Sequence, residues 1–243
     1  MSSRGTHGAS ELAVIERRLR TLQDAYYDHE KDDAVILEYL RTLAQARALA
    51  VREASAVFAS PRLHLGCGDH RLEGWYNADI LLGPAVDLLV DAPGGLPFPD
   101  DSLAFIHSED LLEHVDLSGG TAILRECIRT LRPGGVMRVL TPDLRALVDR
   151  LYNRREPRHL GWCARHLSAE GPCESLNMHL RMDGEHRFVY DEEHLRALLE
   201  KTGFLVRAVR YNESPHPELR YLDLRDFGLN LFLEAVKPER AAV

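Results

Sequence analysis

Apolar residues fall into two patterns that divide the chain near Pro61. Before it, Leu12, Ile15, Leu19 and Leu22 recur at three- and four-residue intervals, with Ser10 placed to cap them. After a charged break over 28–33, Val35, Ile36, Tyr39, Leu40, Leu43 and Leu49 repeat the pattern. That spacing lines one helix face with apolar side chains, so a helical hairpin is predicted over 10–58. The polar, aperiodic residues 1–9 are expected to be a disordered tail. Beyond Pro61, short apolar runs alternate with helical segments. Strands are predicted at 62–65, 75–79, 86–90, 103–108, 135–140, 204–210 and 229–236, and helices at 111–117, 121–131 and 191–202. Asp191 is placed to cap the last helix and Gly203 to close it. Strands separated by crossovers, followed by two late strands, predict an α/β fold with a mostly parallel, doubly wound sheet.

The first strand ends in Leu65-Gly66-Cys67-Gly68, and Asp79 follows eleven residues after the last glycine. Glycines let the backbone bend and approach a ligand with no Cβ in the way. A carboxylate at the next strand tip can accept from both ribose hydroxyls. The third glycine of the dinucleotide pattern is missing, which favours a nucleoside without phosphates over a pyrophosphate cofactor. A net charge of −8 disfavours a general nucleic-acid binder. No apolar run reaches the ~20 residues needed to span a bilayer. Met1–Ser10 lacks an apolar signal core, so a cytoplasmic protein is expected. The four cysteines read as reduced thiols, and Cys67, squeezed between glycines, needs no chemical role.

Further motifs follow in order: Gly74-Trp75-Tyr76-Asn77-Ala78-Asp79, Leu96-Pro97-Phe98-Pro99-Asp100-Asp101-Ser102, Leu111-Leu112-Glu113-His114-Val115 and Leu131-Arg132-Pro133-Gly134-Gly135. The ordered set resembles class I S-adenosylmethionine (SAM)-dependent methyltransferases over residues 60–237. It looks most like a small bacterial group linked to saccharide or secondary-metabolite pathways. The resemblance implies a Rossmann-like domain over 59–243, with seven strands in the order 3-2-1-4-5-7-6 and the last antiparallel. It implies SAM as cofactor. Leu65, Gly66, Cys67 and Gly68 would wrap the methionine moiety, Asp79 would hold the ribose, and Ile80 beside it would also contact the cofactor. Asp91 and Ala92 would meet the adenine, with Leu96 and Phe98 against its ring, while His107 and Ser108 would face the methyl donor. One departure stands out: the family's Ser-hydrophobic-Asp-hydrophobic element reads Ser102-Leu103-Ala104-Phe105 here. The resemblance implies a methyltransferase acting on an O or N atom of a small polar metabolite. A SAM-binding regulatory protein with a filled acceptor pocket is the alternative.

Methyl transfer is an in-line displacement that needs alignment and, for a protonated acceptor, a route for the proton. Histidine suits that role. His186, in His186-Arg187-Phe188-Val189-Tyr190-Asp191, is the first choice, with His179 and His107 behind it. Glu109, Asp110, Thr141, Pro142, Asp143, Arg181, Asp183 and Tyr190 complete the polar groups expected near strand ends or on the covering segment. Cys163, His166, Cys173 and His179 depart from common zinc spacings and are read as ordinary covering residues, so no metal site is expected. Arg150, Arg154, Arg155 and Arg158 could take a phosphate or carboxylate, but a solvated face balanced by Asp149 and Glu156 is the simpler account. The N-terminal hairpin is expected to cap the acceptor pocket or build a homodimer.

Overall fold

The computed structural model describes residues 17–18, 21–22, 42, 61–81, 83–225 and 228–239. The expected tail and nearly all of the expected hairpin, with Tyr26, Tyr27 and Tyr39, lie outside the described residues.

Seven strands form one sheet: β1 (Arg62–Leu65), β2 (Tyr76–Asp79), β3 (Leu88–Leu89), β4 (Leu103–Glu109), β5 (Leu131–Pro142), β6 (Leu205–Ala208) and β7 (Asn230–Val236). Their order is β3-β2-β1-β4-β5-β7-β6, as the motif set implies. Strands β1 to β5 pair in parallel, while β7 runs antiparallel to both β5 and β6. The inner strands are covered on both faces, so Leu63, Leu103, Ile106, Met137 and Val139 are fully buried.

Helix α1 (Leu117–Thr130) starts where the Asp116 carboxylate accepts the Gly119 N–H at 2.7 Å. It begins four residues before the expected start at 121, and the segment expected as helix 111–117 is only a 3₁₀ turn, Leu112–His114. The capping carboxylate at 116 explains both differences, because it opens a new helix and separates it from the turn. Gly120 is fixed by packing, since a Cβ there would stand 2.4 Å from the Tyr190 hydroxyl. Ile123, Leu124 and Cys127 bury this helix against the sheet.

After β5 the chain makes a short helix α2 (Leu144–Leu147), which continues as a π-helical turn Val148–Asn153. Two further helices follow, α3 (Pro157–His166) and α4 (Gly171–Arg181), each with proline in its first turn. They enclose a small core of their own around Leu147, Leu151, Cys163, Ala169 and Leu229. Helix α5 (Glu192–Thr202) starts at Asp191, which accepts the His194 N–H at 2.8 Å, and ends at Gly203 with φ +111°. Both ends match the sequence reading.

One buried ionic network ties the late loop to the sheet. Arg138 on β5 is fully buried and donates from Nε to Asp223 at 2.6 Å, from Nη1 to Glu234 at 3.2 Å, and to the carbonyls of Glu213 and Arg210. Asp223 in turn accepts the Asn212 N–H at 2.6 Å.

Candidate active site

The carboxyl ends of β1 and β2 meet in a small backbone knot. Gly66 and Cys67 both donate to the Ala78 carbonyl, at 2.8 and 3.1 Å. Asp79 accepts the Gly68 N–H at 2.8 Å on one oxygen and the Leu81 N–H at 2.9 Å on the other. Gly66 has φ +75°, and a Cβ there would press on Leu111 at 3.0 Å; a Cβ on Gly68 (φ +51°) would point into open space. Each Asp79 oxygen has used one of its two acceptor positions, so the carboxylate can still receive two hydroxyls. Ile80 beside it is 38% exposed and offers apolar surface at the sheet edge. These features fit a nucleoside such as that of SAM. Asp91 opens the 3₁₀ turn Ala92–Gly94 at the end of β3, and its carbonyl accepts the Gly94 N–H at 3.0 Å.

A cavity of about 810 Å³ opens from this loop. Gly66, Cys67, Gly68, Asp69 and His70 form one end, and Arg158, His159, Trp162 and Arg165 on α3 face it from the covering helices. Between them lie Glu109, Asp110, Glu113, His114, His179 and His186. Its volume falls in the range of small-molecule sites.

The structure separates the expected site residues into two groups. Gly66, Cys67, Gly68, His179 and His186 line the cavity, whereas Asp79, Ile80 and Asp91 lie outside its lining. Leu65 is core, as are Leu96 and Ala92, and Phe98 packs on Tyr76 with ring centroids 5.4 Å apart. His107 and Ser108, expected to face the methyl donor, are instead fully buried within β4 and do not line the cavity. The reason is that β4 is a central strand with covered faces. His107 lies 5.2 Å from the His64 ring and 3.8 Å from Glu109. Cys67 is an inert small side chain, its thiol pushed up to about 12 by burial and then by nearby Asp79 and Asp87.

Glu113 is the residue that sequence reasoning passed over. It is fully buried, accepts the Thr141 hydroxyl at 2.9 Å on Oε2, and has no hydrogen-bond partner on Oε1. Burial, followed by like charge on Asp110, pushes its carboxyl up to about 8. Asp110 is itself raised to about 6 by burial, opposed by the 2.7 Å ion pair with Arg225. The signal in the sequence was a lone acid inside the apolar run Leu111-Leu112-Glu113-His114-Val115.

His186 lies beside Glu113 because the Glu113 carbonyl accepts the N–H groups of Arg187 and Phe188, at 2.7 and 3.2 Å. Its Nδ1 donates to the His179 carbonyl at 2.6 Å, and its ring meets His114 edge-on at 4.9 Å. Burial lowers His186 to about 4 and also lowers His114 and His179. Glu109 is occupied structurally, accepting the N–H groups of Leu224 and Arg225. Asp143 caps α2 by accepting the Arg145 N–H at 2.9 Å. Arg150 and Arg154 pair with Glu156 and Asp149, as the balanced-face reading expects, while Arg158 lines the cavity. Of Cys163, His166, Cys173 and His179, only Cys163 and His179 meet, at 3.7 Å; His166 bonds to the Trp162 carbonyl and Cys173 is exposed.

Among the described residues, no helix is long and apolar enough to cross a membrane. A family model described as a methyltransferase domain matches residues 36–209. No curated protein matches the sequence. The fold is similar to a SAM-dependent methyltransferase from Archaeoglobus fulgidus, at 16% identity over 80% of this chain and 94% of that one, with a TM-score of 0.48. It is also similar to an S-adenosylmethionine-dependent methyltransferase from Mesorhizobium loti, at 18% identity over 80% of this chain and 100% of that one, with a TM-score of 0.45. With its glycine loop, its strand-tip carboxylate and a family match covering most of its length, the chain belongs to the class I SAM-dependent methyltransferases.

Proposed function

We propose that this enzyme transfers a methyl group from SAM to an O or N atom of a small polar metabolite, such as a sugar or natural-product intermediate. One observation carries the reading: one cavity of about 810 Å³ is lined by both the glycine loop and the Glu113–His114–His186 cluster. Its interior is not filled by side chains, which speaks against a SAM-binding protein with no acceptor site.

SAM supplies an electrophilic methyl group. Gly66, Cys67 and Gly68 would cradle its methionine end, Asp79 would accept from the ribose diol, and Ile80 with the Asp91–Ala92 turn would border the base. The covering helices α3 and α4 would shield one side of the acceptor from water. His186 stands at the acceptor's reacting end. His179 positions it, because its carbonyl fixes the His186 Nδ1–H. Alignment of donor and acceptor in this cavity supplies much of the acceleration.

The test is His186→Ala, assayed with methyl-labelled SAM and a panel of sugars, amines and hydroxylated metabolites. Turnover should fall at least tenfold while SAM affinity changes less than threefold, since the Gly66–Gly68 loop and Asp79 are left unaltered. Unchanged turnover removes His186 from the acceptor end.

A further inference from the structure

We propose that Glu113, His114 and His186 form a binding site for one divalent first-row transition-metal ion of the Zn²⁺ kind. The three residues each bring one ligand atom to within 4.8 Å of the other two. The arrangement is made by the backbone and not by chance meeting of long side chains. Glu113 and His114 share the rigid turn after β4, and the 186–188 segment is stapled to it by two N–H groups donating to the Glu113 carbonyl.

The hydrogen bonds leave the right atoms over. The Nδ1–H of His186 is spent on the His179 carbonyl, so Nε2 carries a lone pair. His114 likewise bonds to the backbone of Glu185, which frees its other nitrogen. Metal-bound histidines are oriented in this way by an outer N–H to a carbonyl. Glu113 uses Oε2 for the Thr141 hydroxyl, and Oε1 is buried with no hydrogen-bond partner. An orphaned buried oxygen costs about 1–3 kcal/mol. Two imidazole lone pairs and the unpartnered Glu113 oxygen therefore gather around one point. A proton on Glu113 can bridge its oxygen to one imidazole and leaves the other imidazole without a partner, whereas a cation engages all three.

The donor set selects the ion. Two imidazoles and one carboxylate suit zinc or iron, while calcium and magnesium prefer all-oxygen shells. Tetrahedral metal bonds of about 2.0–2.2 Å place ligand atoms about 3.3–3.6 Å apart, so side chains whose ligand atoms stand up to 4.8 Å apart must close in by as much as about 1–1.5 Å when the ion binds. Arg225, the cation whose charge acts on Glu113 and His114, is paired with Asp110 at 2.7 Å. All three ligands line the cavity, so the remaining coordination positions face the acceptor. This placement rests on the cavity being the acceptor site, and an ion there would hold an acceptor oxygen.

The experiment uses full-length protein stripped with a chelator and titrated with Zn²⁺ by calorimetry, and with Co²⁺ by visible absorption. One ion per chain is expected, with a Co²⁺ spectrum typical of nitrogen and oxygen ligands. Glu113→Gln and His186→Ala should each weaken Zn²⁺ at least tenfold, and Cys173→Ser should not. SAM affinity, measured on every variant, reports an intact fold. No saturable Co²⁺ signal in the unmodified chain, or equal Zn²⁺ affinity in all variants, overturns the proposal. Stripped protein that transfers methyl groups but binds no ion rejects the metal site alone. Protein that binds one ion and SAM yet methylates no acceptor in the panel rejects the proposed function and leaves the metal site standing.

Discussion

Replacing Asp79 by alanine removes the one carboxylate that closes the glycine loop and offers acceptors at the ribose position. Two backbone N–H groups, Gly68 at 2.8 Å and Leu81 at 2.9 Å, lose a charged acceptor at once. Both then turn to water at a half-exposed site, so the loss of fold stability is about 1–2 kcal/mol, or a few degrees in Tm for a domain of this size. The ligand loses more, because its diol has no other carboxylate at the β2 tip. SAM binding should weaken by about 1–3 kcal/mol, roughly 5- to 150-fold in Kd. Asp79→Asn refines the reasoning. Gly68 and Leu81 donate to different oxygens of Asp79, and an amide keeps only one of these positions as an acceptor, so its NH₂ would oppose the other N–H. Asparagine should therefore recover less than half of the lost affinity. Calorimetric titration with SAM and with S-adenosylhomocysteine at fixed salt measures both variants. An alanine variant within twofold of the unmodified chain would refute the assignment of Asp79 to the ribose.

Three other outcomes are expected. Arg138→Met strands Asp223 and leaves Glu234 with Arg207 alone, and breaking a buried ion network of this kind costs about 3–5 kcal/mol; urea unfolding should show it, and a loss below about 1 kcal/mol would contradict the network's role. His64 is lowered to about 3, chiefly by burial and then by neighbouring His107, against the opposing Asn77 hydrogen bond. The unfolded chain binds that proton near pH 6.5 and the folded chain does not, so stability is fully present above 6.5 and falls toward 3. The slope approaches about 1.4 kcal/mol per pH unit per such group. Urea midpoints should drop between pH 7 and 5, less steeply in His64→Asn, and equal slopes in the two proteins would sink the attribution. Finally, Asp191→Ala should cost about 1 kcal/mol through loss of the α5 cap, read by the same urea titration; no change would mean that water replaces the bond to His194 without cost.

The sheet was legible because its strands are short apolar runs bounded by glycine, proline and aspartate, and because the motifs occur in the order that sets the strand sequence. Asp191 and Gly203 marked both ends of α5 for local chemical reasons. Helices α3 and α4 were not legible. Their apolar residues build a small separate core, their outer faces are charged, and Pro157 and Pro172 interrupt the pattern. Gly119 and Gly120 hid the start of α1, since their value lies in close approach, of Val115 and Asp116 at Gly119 and of Tyr190 at Gly120, and not in helix propensity. At the site, the Gly66–Gly68 loop and Asp79 could be read along the chain because they act through neighbouring strand tips. Glu113 could not. Its partner His186 is distant in sequence, and only the folded backbone brings them together. His107 and Ser108 show the converse: position at a strand end suggested access, but a central strand buries both.

The central claim is methyl transfer from SAM within this cavity, and product formation tests it most directly. The full-length protein, incubated with methyl-labelled SAM and small polar metabolites, should yield a labelled methylated product and an equal amount of S-adenosylhomocysteine by mass spectrometry. Both should be lost in Asp79→Ala at low SAM and in His186→Ala at any SAM concentration. Saturating SAM binding with no S-adenosylhomocysteine above background across O- and N-bearing acceptors would contradict the account.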